Sequence, residues 1–337
     1  MRTPLRHLFC LSLATLAVPT AAAAMFGAAI PAYADPLAAG AATPTPTPAP
    51  GQLGPEYAAR PKASYEVGTL HVQVYGDHGR PVILIPGLAG GAWVWKDTID
   101  ELRKDHQVYA VTLAGFDGTP APAGDESYFD RADASLAQLI ESKKLQKPVI
   151  VGHSLGGTLA LRLAGEHSDL IAGAVAVDGL PVFPGLDAMP AEQRQATAAN
   201  MLKMGSASDE EFKAQLLGYM QKVGVIDPAL ATHYATFNAR SYKQAVARYM
   251  AEDASGDWRP QLAKATVPVL EIVPYNAPDA QIGPMKTTQE QKVAYYKGLL
   301  GAAPKANVVA IAPSRHYVML DQPIQFKKTL ADFLHSL

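Results

Sequence analysis

The stretch that most limits what this chain can become runs from Lys147 to Ala164. Its first part, Pro148 to Val151, is a short β-branched run between Pro and Gly and reads as a buried strand. Its second part, from Leu155 onward, is rich in Leu and Ala with apolar residues at helical spacing. Between them stands Gly152-His153-Ser154-Leu155-Gly156. A strand must turn sharply there to enter a helix, and the two glycines remove side chains that would collide in such a turn. The turn leaves the Ser154 hydroxyl exposed at a helix N-terminus, whose dipole favours negative charge. A serine nucleophile needs that placement. Gly-x-Ser-x-Gly alone recurs by chance in Gly-rich loops; a strand before it and a helix after it make it specific.

The rest of the folded part repeats the strand-then-helix rhythm. Ser64–Val67 and Leu70–Tyr75 alternate apolar and polar residues, as half-buried edge strands do. Pro81 to Pro86 is a continuous apolar run suited to a central parallel strand covered on both faces. A helix is expected from about Trp93 to Lys104, a strand over Gln107–Thr112, a helix from about Ser127 to Lys144, and a strand over Ile171–Val177. The alternation breaks at Pro181. From there to about Lys264 the pattern is helical: Ser208 to Glu211 forms a capping box, and Asp227-Pro228 and Ser241 are two further helix starts. Alternation resumes with a strand over Val267–Val273, a helix from about Gln289, a strand over Val308–Ile311 and a closing helix after Pro323. The expected fold is α/β: a doubly wound, mostly parallel sheet with an inserted helical lid at about 181–264. In such sheets the site lies at the carboxyl ends of the strands, where the chemistry-bearing residues of this chain fall.

The first residues read differently. Arg2 and Arg6 precede an apolar run from Leu8 that ends at Ala32-Tyr33-Ala34, so 1–34 is expected to be an export signal, with Ala22-Ala23-Ala24 as another cleavage site. An uncleaved membrane anchor is the alternative, against which Pro19 and the two small-residue sites argue. The implied location is periplasmic or extracellular, with no membrane span in the mature form. Residues 35–60, with Pro at every second position from Pro44 to Pro50, favour extended polyproline conformation and read as a tether; 61–337 is the folded domain. Losing the signal would leave 27 basic against 31 acidic residues, a net charge of −4 that gives no reason to expect nucleic acid as a partner. The single cysteine, Cys10, lies in the signal and lacks the small residue expected before a lipoprotein cysteine. Disulfides, cysteine catalysis and thiolate metal sites are thereby excluded from the mature chain.

Four segments carry a family resemblance: Ile85 to Trp95, Gly115 to Pro120, Val151 to Gly157, and Ser314 to Pro323. In order and spacing the chain from about residue 63 to its end resembles an α/β-hydrolase of the serine-nucleophile, esterase- and lipase-like branch. The resemblance implies Ser154 as nucleophile; a serine that merely caps the next helix is the alternative. A free hydroxyl is a poor nucleophile and needs a base. His316, just past the last apolar strand, is in the chain order Ser, acid, His that the family uses. His153, beside the nucleophile, is expected to pack against or orient nearby loops. The acid is open. The usual family position follows the strand at 267–273, but Pro274 to Asp279 lacks the expected Gly and places Asp279 late. The other family position follows the preceding strand, where Asp178 stands before Gly179. Asp178 is preferred and Asp279 is the alternative. The oxyanion hole would be the backbone N–H groups of Leu88 and Leu155.

In the lid, Tyr219, Tyr234, Phe237, Tyr242 and Tyr249 are expected to form mostly the lid's own small core, with a few lining a pocket. No His-Glu-x-x-His, cysteine pair or Asp-rich loop occurs, so no metal and no cofactor are expected. The leading function is an exported serine hydrolase acting on small-molecule or acyl esters. The same triad could act on lactone, thioester, amide or carbon–carbon bonds. A binding or receptor protein of the same fold with little turnover is the second reading, and a wall-associated module, suggested by the tether alone, the third. Oligomeric state is not legible.

Overall fold

A short, β-branched run with no charged side chain to solvate suits a strand covered on both sides, and Val82 to Ile85 is such a run. Val82 and Leu84 face one apolar layer, Ile83 and Ile85 the other, and all four are fully buried. In the computed structural model, which describes residues 60–280, 286–301 and 303–337, this run is the third of eight strands. The expected signal and tether lie outside the described residues, except for Arg60. The strands are β1 (Ala63–Val67), β2 (Leu70–Tyr75), β3 (Pro81–Ile85), β4 (Gln107–Leu113), β5 (Val149–His153), β6 (Gly173–Val177), β7 (Val269–Pro274) and β8 (Ala306–Ile311). They lie in the order β1-β2-β4-β3-β5-β6-β7-β8; the β1–β2 and β2–β4 pairs are antiparallel and the other pairs parallel. β1 is the half-buried edge expected. β2 is not an edge: it lies between β1 and β4, and Leu70, Val72 and Tyr75 are buried.

Helices cover both faces. α1 (Lys96–Leu102) and the last helices, α11 (Val318–Asp321) and α12 (Pro323–His335), pack on the layer holding Val82 and Leu84; α2 (Tyr128–Ser142), α3 (Leu155–Glu166) and α10 (Gln289–Leu300) pack on the other. Where one α1 was expected from Trp93, residues Ala92–Trp95 first form a 3-10 turn, because both tryptophans are buried under the sheet. From β3 the chain goes to β4 on one side and from β5 to β6 on the other, so β3 and β5 flank the point where the strand order reverses. A crevice opens there at their carboxyl ends.

The segment 181–264 carries α4 (Ala191–Met201), α5 (Asp209–Tyr219), α6 (Pro228–Asn238), α7 (Lys243–Ser255) and α8 (Arg259–Leu262), with a single isolated β-bridge, Val182 to Asp257; the one-turn α9 (Ala277–Ala280) follows β7. Ser208 and Glu211 cap α5 reciprocally and Asp227 caps α6, as their sequence signals say. Ser241 does not start α7. Its hydroxyl instead bonds the Ala89 carbonyl and the Asp117 amide, and the helix begins at Lys243. None of the five aromatics expected in the segment's own core belongs to it; that core is Phe183, Leu186, Ala198, Met250, Ala251 and Ala254. Tyr234 and Phe237 stack on Trp93 at 5.2 and 5.3 Å, Tyr249 packs on Phe116 and Tyr128, and Tyr242 is exposed. Such pairs are worth about 0.5–1.5 kcal/mol each beyond the area they bury. The aromatics therefore fasten the insertion to the sheet domain. No helix among the described residues is long and apolar enough to cross a membrane.

One strand residue contradicts its surroundings. Glu271 stands opposite Ala176 in the centre of β7, fully buried, with the backbone of Asp178 and Gly179 close by but no well-formed hydrogen bond to either carboxyl oxygen. Burial, and then the charge of Asp178, push it well above the usual 4.5. The folded protein therefore keeps a proton that the unfolded chain releases above that value. Stability is full below the unfolded value and falls as pH rises, by up to about 1.4 kcal/mol per pH unit. Glu271→Gln keeps the shape without the proton. Its melting temperature relative to the parent should rise progressively from acidic to mildly alkaline pH; a constant difference across that range would refute a neutral Glu271.

Candidate active site

The turn after β5 is built by close approach. A Cβ on Gly152 would stand 1.9 Å from the Gly156 carbonyl oxygen, and one on Gly156 would stand 2.4 Å from that of Ile85. With those side chains absent, the chain reverses through Ser154 at φ 53 and ψ −123, a conformation L-residues rarely hold. The Ser154 amide bonds the Val177 carbonyl at 2.9 Å, extending the sheet ladder by one rung. Its hydroxyl makes no capping bond to α3.

Asp178 comes from the same rung. Its amide bonds the Ile272 carbonyl at 2.9 Å, and at φ 51 it turns out of β6. His316 Nδ1–H donates to Asp178 Oδ2 at 2.5 Å, and Tyr296 of α10 donates its hydroxyl to Oδ1. Burial alone would raise this carboxyl. Lys292, His316 and the two hydrogen bonds outweigh it and hold it well below the usual carboxylate range. An ionised Asp178 fixes the proton on Nδ1 and leaves Nε2 of His316 free to accept one. Of the two acids the sequence left open, the structure brings Asp178 to His316. Asp279 is engaged elsewhere: Arg315 donates Nε to its Oδ2 at 2.7 Å and an Nη to its Oδ1 at 2.8 Å.

The loop bearing His316 is tied to the insertion. Its amide and that of Tyr317 bond the carbonyls of Val223 and Gly224, and Arg315 reaches the carbonyls of Gln221 and Val225. Below it His153, fully buried, donates Nε2–H to the His316 carbonyl at 3.1 Å and packs against the His316 and Tyr317 rings. Burial lowers His153 well below the ordinary histidine value, so it stays neutral and orients this loop, as expected.

Ser154, Asp178 and His316 line one cavity of about 870 Å³. Leu88 and Leu155 line it beside Ser154. Leu155 opens α3, so its N–H has no acceptor within the helix. Phe212, Leu216, Tyr219, Val246 and Met250 of the insertion supply the opposite, largely apolar lining. Sequence reasoning missed Tyr296, Lys292 and the Arg315–Asp279 pair, none of which carries a local signal. It also missed Asp253, which lines the cavity from α7 and does carry one: it stands seven residues after Val246, on an apolar stripe. Among the described residues one group, Asp133, Glu166 and His167, could gather three metal-ligand atoms. It does not line the cavity, and Arg162 already pairs with Glu166 at 3.1 Å and lies 3.8 Å from Asp133.

Residues 82–328 match the alpha/beta hydrolase family. The chain belongs to that family. A relative from Pseudomonas savastanoi pv. phaseolicola, provisionally named the carbamate hydrolase RutD, is 25% identical over 76% of this chain and 93% of its own. The pimeloyl-[acyl-carrier protein] methyl ester esterase of Yersinia enterocolitica is 22% identical over 78% of this chain and 96% of its own. Among solved structures, one from Burkholderia cenocepacia, provisionally designated an aryl esterase, superposes with a TM-score of 0.64 at 25% identity, covering 81% of this chain and 98% of that one. As an alpha/beta hydrolase the protein is a hydrolase by kinship.

Proposed function

We propose that this protein is an exported serine hydrolase that cleaves carboxylic esters through an acyl-enzyme on Ser154. The observation that carries the reading is the His316–Asp178 hydrogen bond on the wall of the cavity that Ser154 enters from its strained turn. Ser154 Oγ attacks the ester carbonyl and His316 Nε2 takes its proton. The tetrahedral oxyanion accepts from the Leu88 and Leu155 amides, each worth about 10²–10³ in rate. Collapse expels the alcohol, which takes the proton back from His316; water then attacks the acyl-enzyme by the same route. The insertion acts as the lid that keeps bulk water from this step. The cavity lies within the range that encloses a small-molecule substrate, about 300–1,000 Å³. Relatives named for carbamate and methyl-ester hydrolysis support carbonyl hydrolysis.

Two measurements test this. A fluorophosphonate should label the protein stoichiometrically at Ser154, and p-nitrophenyl esters of graded acyl length should be turned over with an optimum set by the cavity. Full absence of both would favour a binding protein of the same fold. Export rests on the Arg-flanked apolar run before Asp35. N-terminal sequencing should find a chain starting near Asp35, and recovery of Met1 in a membrane fraction would favour an anchor.

A further inference from the structure

α7 lays Val246, Met250 and Asp253 along the cavity, at the four- and three-residue steps that keep one helix face. Two are apolar, as a helix face over an apolar cavity should be. The third is a carboxyl, only 9% exposed. Asp253 has no charged neighbour among the described residues to stabilise it: burial pushes it up to about 7, and only the Thr158 hydroxyl works against that. That hydroxyl has a single proton and already donates to the Leu180 carbonyl at 3.0 Å. Asp253 therefore receives at most a share of one hydrogen bond.

The carboxyl cannot swing out to water cheaply, because the turn of helix before it is pinned. Arg248 donates to the carbonyls of residues 124, 125 and 126, Tyr249 is fully buried, and Glu252 accepts from the Ser127 hydroxyl and the Phe129 amide. Of the lysines and arginines lining the cavity, Lys222 is exposed and the other two are engaged. Arg315 holds Asp279, and Lys292 donates to the Pro274 carbonyl. A buried, unpaired acid facing a ligand cavity is costly, and a cation in the ligand is what offsets that cost. Its distance from the chemistry follows from α3. The Thr158 amide bonds the Ser154 carbonyl, so Thr158 stands one helical turn, about 5 Å, beyond the nucleophile.

We propose that Asp253 is a specificity residue that seats a cationic nitrogen, so that the cavity selects esters whose acyl chain carries an ammonium group a few bonds beyond the carbonyl. This rests on the reading of Ser154 as the attacking group. An apolar acyl chain of the same shape leaves the buried carboxyl with only the Thr158 hydroxyl beside it; an ammonium supplies the opposite charge it lacks.

The test uses two p-nitrophenyl esters of nearly identical shape, of 4-(trimethylammonio)butyrate and of 5,5-dimethylhexanoate. In the parent protein kcat/KM should favour the cationic ester by about tenfold or more, and in Asp253→Asn the ratio should fall to about one or below. Equal or reversed preference in the parent overturns the proposal whatever the variant does, and so does a preference that survives in a folded Asp253→Asn protein. Binding is read separately by calorimetry of methyl 4-(trimethylammonio)butyrate on Ser154→Ala, with and without Asp253→Asn. Binding lost with Asp253 while neither ester is hydrolysed would sink the serine-hydrolase reading and uphold this one. Hydrolysis of both esters at equal rates would do the reverse.

Discussion

Ser154→Ala is expected to lower kcat for ester hydrolysis by on the order of 10⁶-fold while leaving the fold in place. The magnitude follows from the role: with the attacking oxygen gone, the base and the acid have nothing to activate, and only binding and the oxyanion donors remain. The stability half of the prediction comes from the geometry of the turn. The Ser154 side chain makes no capping bond, so its removal leaves no donor of α3 unsatisfied. Alanine meets the same backbone strain at φ 53 as serine does. The neighbours that make the turn possible, Gly152 and Gly156, are untouched. Thermal unfolding should thus shift by no more than an exposed substitution does, about 0.5 kcal/mol. Undiminished hydrolysis by a folded Ser154→Ala protein would end the acyl-enzyme mechanism.

What the sequence could and could not say about this site divides by range. Local rules found the turn at Ser154, the cap at Ser208, the cap at Asp227 and the strands at 81–85 and 70–75, because each is decided within a few residues. The family resemblance, together with the carboxyl-end rule for parallel sheets, put His316 and both candidate acids, Asp178 and Asp279, at the same end of the sheet as Ser154, with Asp178 preferred. The contact of His316 with Asp178 spans 138 residues and Tyr296 reaches Asp178 across 118, and nothing in the local pattern of α10 marks Tyr296 as different from its neighbours. The insertion was legible as helical but not in how it packs. Its aromatics read as a self-contained core, yet Tyr234 and Phe237 stack on Trp93, because the burial on offer at the sheet domain exceeds what five short helices can provide one another. Two signals were present and passed over. A lone Glu271 inside an apolar strand and a lone Asp253 on an apolar helix stripe both break their pattern, and such breaks need a reason outside local structure.

The choice of acid separates most sharply by mutation. Asp178→Asn should lower kcat by about 10⁴-fold with a small change in KM, since control of the imidazole tautomer acts on the transition state. The geometry gives the cause. Asp178 Oδ2 accepts the Nδ1 proton of His316, and an asparagine nitrogen in that place would offer a proton instead of taking one. The ring would then carry its proton on Nε2, where it cannot receive the one from Ser154. Tyr296 already occupies Oδ1, so the amide cannot simply flip to present its oxygen without losing that bond. Because Asp178 is held well below the usual carboxylate range, mild acidification should not disarm it, and the deficit of Asp178→Asn should persist across the working pH range. Asp279→Asn is the control. It weakens the two-point ion pair with Arg315 at 2.7 and 2.8 Å, yet Arg315 keeps its bonds to the carbonyls of Gln221 and Val225 that hold the His316 loop. That variant should lose stability on the order of 1 kcal/mol and less than tenfold in kcat. Both variants are assayed on one p-nitrophenyl ester with melting temperatures in parallel; a crippled Asp279→Asn beside an active Asp178→Asn would move the acid to the other strand and overturn the assignment.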